Sequence, residues 1–377
     1  MPMKVLSFNA RLFRTSQLAC WVTGFGLLVT SAALAQDAHE KLDVGDVSRS
    51  YVVHLPQNYD QGRHYPVVIL LHGQNQDADD MARLTLFNQL ADKDGVIAVY
   101  PNATRGRWNI GVRSDETSEA MPRRGGGRRG GWGGYPGGGY PGGGGSPRNG
   151  GGYPGGGQTG QGQGGGQGDG SKNKTEPADD VAFLNQMLDQ LALKYSVDSS
   201  RIYATGLGDG GFMALRAGCN LADRVAAVAA VGAGMPKTMI CLPSRAVPAV
   251  FVAGTDDPIV PYNGGSYKAL RFHVLSAEDT AKTWAKFDRC AEKPSQDKIP
   301  PQQKGAKETR SLTYSGCQND AQVVLYSVKD GGNTWPGGEQ YMTEKEIGKT
   351  STAINANETI WNFFANRKIP GEKDQQK

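Results

Sequence analysis

The stretch Arg201-Ile-Tyr-Ala-Thr205-Gly206-Leu207-Gly208-Asp209-Gly210-Gly211 decides how this chain is read. A strand over Arg201 to Thr205, a glycine turn and a helix over Gly211 to Ala217 have the shape of a nucleophile elbow, G-x-S-x-G. In that motif glycines on either side let a strand turn sharply into a helix, and the middle residue stands at the tip. Here the tip is Gly208, where the motif requires serine. The backbone N–H groups of Gly208 and Asp209 are expected beside the helix N-terminus, where unpaired donors gather.

Strand and helix alternate on both sides of this turn. Ser50 to Leu55 alternates in strand fashion, and Tyr65 to Leu71 is a continuous apolar run of the kind buried on both faces of a sheet. Met81, Leu84, Phe87, Leu90 and Ala91 mark a helix over Asp79 to Asp92, and Val96 to Tyr100 is the next strand. The pattern stops near Arg113 and resumes at Ala178, where Phe183, Leu184, Met187, Leu188 and Leu191 mark a helix with Pro177 near its start. Strands follow at Val225 to Val231 and Val247 to Ala253, then a helix at Ala277 to Phe287. Strands at Glu308 to Tyr314 and Gln322 to Val328 and a helix near Ser351 to Phe364 complete the order. Repeated βα units predict one α/β domain over 36–377, its mostly parallel sheet covered by helices on both faces.

The break at 113–176 is a Gly, Tyr, Pro and Arg-rich insert. Of 53 glycines in 377 residues, 27 fall between Gly125 and Gly170, among three copies of Tyr-Pro-Gly-Gly-Gly beginning at Tyr135, Tyr140 and Tyr153. Glycine at this density buries too little surface to offset its ordering entropy, so a flexible surface loop is expected. The alternative is an adhesive segment that uses Arg123, Arg124, Arg128, Arg129 and the tyrosines. The remaining chain has ordinary globular composition, which excludes disorder throughout.

Residues 1–35 read as a secretory signal: Lys4, Arg11 and Arg14, an apolar run from Leu18 to Val29, then Ala33-Leu34-Ala35. That run is broken by Thr23, Gly24 and Gly26 and falls short of the roughly 20 residues that span a bilayer. Cys20 lacks the preceding leucine of a lipid-attachment site, Gln17 standing there instead. Without the signal, Lys+Arg 41 against Asp+Glu 37 becomes 38 against 37, so net charge gives no support to a nucleic-acid partner. Cys219, Cys241, Cys290 and Cys317 remain, an even number in an exported chain. Sequence-near pairing, Cys219 with Cys241 and Cys290 with Cys317, is expected among three possible connectivities. Zinc is disfavoured, because there is no CxxC and no histidine close in sequence.

Several blocks, in their order along the chain, resemble the secreted polyhydroxybutyrate depolymerase and feruloyl esterase group of α/β-hydrolases. They are Ser50-Tyr51 with Leu55-Pro56, Leu70-Leu71-His72-Gly73-Gln74, Tyr100-Pro101 with Trp108-Asn109, and Asp179-Asp180-Val181-Ala182-Phe183. Gly254-Thr255-Asp256-Asp257-Pro258 is similar to the group's acid loop, and Gly331-Gly332-Asn333-Thr334-Trp335-Pro336-Gly337 to its histidine loop. The four cysteines also fall where cysteines of the group commonly do. The resemblance implies an α/β-hydrolase fold with the nucleophile position at Gly208, the acid at Asp257 and the base position at Asn333. It further implies oxyanion donors in the backbone of Asp209 and of Gln74 or its neighbour, and aromatic cleft walls at Trp108 and Trp335, for which plain packing is the alternative.

Two of three triad members are therefore replaced. Glycine offers no nucleophile, and an amide neither accepts nor returns a proton near neutral pH. Losing nucleophile or base costs about a million-fold in a serine hydrolase, while the oxyanion notch and binding alone retain about 10³ to 10⁴ over water. Asp209 one position past the tip and His273 far from the histidine loop are weak substitutes, and His72 reads as structural. The sequence thus predicts a catalytically inactive pseudoenzyme that binds polyester or acylated polysaccharide in the old cleft, with no metal or organic cofactor. The alternatives are an active carboxylic-ester hydrolase with a non-standard site and a surface adhesin acting through the glycine-rich insert.

Overall fold

In the computed structural model, residues 37–112, 178–267, 269 and 271–371 are described. The signal-like segment 1–35 and the insert 113–176 lie outside them, and so does the expectation of flexibility for the insert. The apolar runs form the middle of a ten-stranded sheet in the order β1-β2-β4-β3-β5-β6-β7-β12-β11-β10. From one edge these are β1 (Asp37–Val44), β2 (Val47–His54), β4 (Ile97–Pro101), β3 (Tyr65–Leu71), β5 (Val197–Leu207), β6 (Ala227–Val231), β7 (Ala249–Gly254), β12 (Val323–Val328), β11 (Thr309–Tyr314) and β10 (Ser295–Ile299). Neighbours from β4 across to β12 run parallel. The two strands at each edge join antiparallel. A separate antiparallel pair is made by β8 (Gly265–Tyr267) and β9 (Phe272–Val274).

Helices α1 (Ala78–Thr85), α2 (Phe87–Asp94), α3 (Asp180–Lys194), α4 (Asp209–Asn220), α5 (Ala277–Phe287), α6 (Glu344–Ile347) and α7 (Ala356–Phe364) complete the described chain. They cover both faces: Phe183, Leu188, Phe212 and Trp284 pack in one hydrophobic cluster and Met81, Phe87, Ile360 and Phe364 in the other. The expected α/β architecture is borne out. Among the described residues no helix is long and apolar enough to cross a membrane.

Several boundaries differ from the periodicity, β5 among them, which runs Val197–Leu207 rather than Arg201 to Thr205. The single helix expected over Asp79 to Asp92 is two, because Leu86 adopts a left-handed conformation (φ 56°) and caps α1 through its N–H to Ala82 O. The elbow helix begins at Asp209 rather than Gly211, so Gly210 and Gly211 lie inside its first turn. The last helix starts after Asn355, whose side chain accepts from Glu358 N–H. The edge strands β1 and β10 escaped the sequence reading: Asp37-Ala-His-Glu-Lys and Ser295-Gln-Asp-Lys present mostly charged and polar side chains, as suits an edge.

The cysteines pair as expected, Cys219 with Cys241 and Cys290 with Cys317. The first tethers the end of α4 to the loop between β6 and β7; the second closes the segment after α5. Beside it Asp288 is fully buried, with Oδ1 accepting from Val247 N–H at 2.9 Å and Oδ2 unpartnered among the described residues. Burial pushes its carboxyl up to about 7, against the opposing pull of that N–H and of Arg245. An acid with its folded pKa above its unfolded value holds a proton that the unfolded chain has released. Its contribution to stability is full below about pH 4 and is lost as pH rises through the folded value. Thermal melts are expected to show a Tm lower at pH 8 than at pH 5, and Asp288→Asn to flatten part of that slope. A Tm that climbs with pH across this window would contradict the assignment.

Candidate active site

The site is built where β5 turns into α4. Gly208 has φ 54° and ψ −116°, a conformation that side chains rarely adopt. Its N–H donates to Val231 O (2.9 Å), and its carbonyl accepts from Phe212 N–H (3.0 Å), so the tip is locked to β6 on one side and to its own helix on the other. Gly210 lies against β3: a Cβ there would sit 1.9 Å from Leu71 O and 2.6 Å from His72 O. A Cβ on Gly73 would lie 3.5 Å from Leu207 O, which places the loop after β3 beside the elbow. Gln76 fixes that loop by accepting from Gly73 N–H at 2.8 Å. Gln74 follows in the turn, half-buried, and Asp209 opens α4.

The acid and base positions converge on the tip from the ends of β7 and β12. Asp257 Oδ1 accepts from the N–H groups of Ile259 and Val260, both at 2.8 Å. Its Oδ2 accepts from Asn333 Nδ2 at 2.7 Å. The same amide nitrogen donates to Gly232 O (2.8 Å), while the Asn333 backbone N–H donates to Ile347 O (2.6 Å) and its carbonyl accepts from Tyr341. At the other end of the amide, Oδ1 lies 3.3 Å from where a Cβ on Gly208 would be. Asp257, Asn333 and Gly208 thus form a line in which the amide spans from carboxylate to tip. The two loops are joined directly by Asp256 N–H donating to Gly331 O (3.0 Å). Burial raises Asp257 to about 6, outweighing the hydrogen bonds from Val260, Asn333 and Ile259 that favour its charged form. At neutral pH the carboxylate is ionised and answered by N–H donors alone.

Asp209 does not face the reacting position as a free carboxylate. It is 1% exposed; Oδ1 accepts a hydrogen bond from Tyr267, and Oδ2 has no partner among the described residues. Burial raises its pKa, with the Tyr267 bond and the nearby Arg107 pulling the other way. Tyr267 and Arg107 were missed by the sequence reading, since β8 is too short to signal itself and the pairing is purely tertiary. His72 is fully buried and bonded through both ring nitrogens, to Gly73 O (2.8 Å) and from Ala103 N–H (3.0 Å), and burial lowers its pKa. This places it as a brace between two loops. His273 is exposed on β9, and the Asp257 and Asn333 side-chain bonds given above go to other residues.

Trp108 and Trp335 do not stand as open cleft walls. Trp108 is 3% exposed, donates to His72 O (2.9 Å) and tilts against the His72 ring. Trp335 is 1% exposed and donates to Asn357 Oδ1 (2.8 Å). Both rings pack in the interior, and their indole N–H groups hold the loops that carry Gln74 and Asn333. The block around Asp180 is also explained: Asp180 pairs with Arg49 (2.6 Å) and accepts from Asn109 N–H (2.6 Å), and Asn109 Nδ2 donates to Ala178 O (2.9 Å). The two ends of the 113–176 excursion are thereby fastened together. No cluster of metal-ligating side chains occurs among the described residues.

Residues 49–125 match the family described as Esterase PHB depolymerase. Feruloyl esterase B of Piromyces equi is 32% identical over 163 residues, 41% of this chain and 29% of that protein. A protein of Nocardia uniformis subsp. tsuyamanensis named as an esterase, NocK, is 24% identical over 309 residues, 79% of this chain and 74% of its own. The solved acetyl xylan esterase from Aspergillus awamori superposes with a TM-score of 0.49 at 13% identity, over 87% of this chain and 99% of that one. The chain therefore spans under a third of the length of the Piromyces protein and about three quarters of the Nocardia one.

Proposed function

Taking the chain as a member of the polyhydroxybutyrate depolymerase and feruloyl esterase group of α/β-hydrolases, we propose that it is a catalytically silent binder of ester-bearing polymer, polyester or acylated polysaccharide. One observation carries this reading: Asn333 occupies the line between Asp257 and the elbow tip as an imidazole would, yet can neither accept nor return a proton, and Gly208 offers no hydroxyl. What the chain keeps is the part of such a site that needs no side chain. Backbone N–H groups at the start of a helix and in the adjoining loop favour a carbonyl or anionic oxygen. The site also lies at the carboxyl ends of the parallel strands, where open α/β sheets bind ligands. Two disulfides suit export to an oxidising compartment.

Retention on polyhydroxybutyrate film and on feruloylated arabinoxylan tests the reading, with de-esterified arabinoxylan as the comparison. Binding is expected to weaken on de-esterification, and Gly208→Leu, with its melting temperature recorded alongside, is expected to remove the ester-dependent part. Equal binding with and without esters, together with no retention on the film, would overturn it.

A further inference from the structure

A concavity of about 460 Å³ lies between α2 and α7 and involves none of Gly208, Asp209, Asp257 or Asn333. We propose that it is a binding groove for a neutral oligosaccharide. Its lining has the chemistry of a polyhydroxylated ligand: Trp361 supplies a half-buried indole, Gln89 and Asn362 supply side-chain amides, and Asn355, whose Oδ1 accepts from Glu358 N–H, adds an amide donor. A planar amide offers donors and acceptors side by side, which matches the paired hydroxyls of a sugar ring. An indole face covers the ring's C–H side without requiring it to shed hydroxyl hydration. Anions are poorly matched, since Lys93 is outnumbered by Asp94 and Glu358. A purely apolar ligand is no better served, because Leu86 and Leu90 are outnumbered by polar groups.

The groove is set before any ligand arrives. Trp361 stands edge-on to Tyr203 (6.2 Å between centroids), which is itself stacked on Phe364 (4.7 Å), so the indole is braced from the core side. Asn357 donates to Thr85 O (2.7 Å) and accepts from Trp335 (2.8 Å), tying α7 to the end of α1 beside α2. A preformed wall spares the ordering cost that weakens most surface contacts.

Titration of the full chain with xylohexaose, cellohexaose and maltohexaose, followed by calorimetry and tryptophan fluorescence, tests the proposal. At least one is expected to bind, and the double variant Gln89→Ala, Asn362→Ala, both exposed positions, is expected to weaken that binding at least tenfold at unchanged melting temperature. Trp361→Phe, which keeps an aromatic ring against Tyr203, should weaken it several-fold. Absence of binding by all three sugars at millimolar concentration, or full affinity in the double variant, would overturn the proposal. These ligands carry no ester, so that result would leave the reading of the Gly208 site untouched.

Discussion

The double variant Gly208→Ser, Asn333→His is expected to hydrolyse p-nitrophenyl acetate at least ~100-fold faster than the unmodified protein, while each single variant stays near background. The geometry for this gain is in place. A Cβ at position 208 would lie 3.3 Å from Asn333 Oδ1, a tight contact with the side chain that the second change replaces, and the φ of 54° is the strained turn on which an elbow exposes its nucleophile. Asn333 already donates to Asp257 at 2.7 Å, so an imidazole there inherits an acceptor for its inner N–H. Its outer nitrogen would reach toward the new hydroxyl. Serine without the base remains protonated, and the base without serine has nothing to activate, so the two changes couple strongly. Steady-state rates of the four proteins measure that coupling. Rates that add independently would argue against a dormant triad.

Gly210→Ala is expected to be the most damaging glycine-to-alanine change among the described residues, costing on the order of 4 kcal/mol or more, or preventing folding altogether. Its Cβ would overlap Leu71 O at 1.9 Å and Leu71 C at 2.4 Å, both backbone atoms of a buried central strand that cannot rotate aside. Gly62→Ala is the matching control, because a Cβ there meets nothing nearer than Asp60 Oδ1 at 3.4 Å, on an exposed turn. Denaturant melts of the two variants should therefore separate widely; similar midpoints would mean that the elbow is less closely packed than described.

This close packing is also why the fold was legible in the sequence. Gly206, Gly208, Gly210 and Gly211 cluster in six residues between an apolar strand and a helix, and few arrangements need that spacing other than a strand turning into a helix under a neighbouring strand. The convergence of Asp257, Asn333 and Gly208 was legible for a different reason: strand ends of a parallel sheet meet at one edge, and each residue lies just past such an end. What periodicity does not carry is which neighbour covers a side chain. Trp108 and Trp335 occur in loops, where an indole reads as a ligand wall, yet each finds a buried acceptor, His72 O or Asn357 Oδ1. Asp209 likewise reads as a helix-start carboxylate until Tyr267 arrives from a strand of three residues. The edge strand β1 lacks an apolar run altogether, and its pairing with β2 rests on backbone register rather than on hydrophobic pattern.

Catalytic silence is tested by hydrolysis with the unmodified protein, with p-nitrophenyl acetate, methyl ferulate and polyhydroxybutyrate film each measured beside a heat-denatured control. No turnover above that control is expected for any of the three. Turnover above it that is abolished by Asp209→Asn or Asp257→Asn would contradict catalytic silence and make the protein an enzyme that works with glycine at 208 and asparagine at 333.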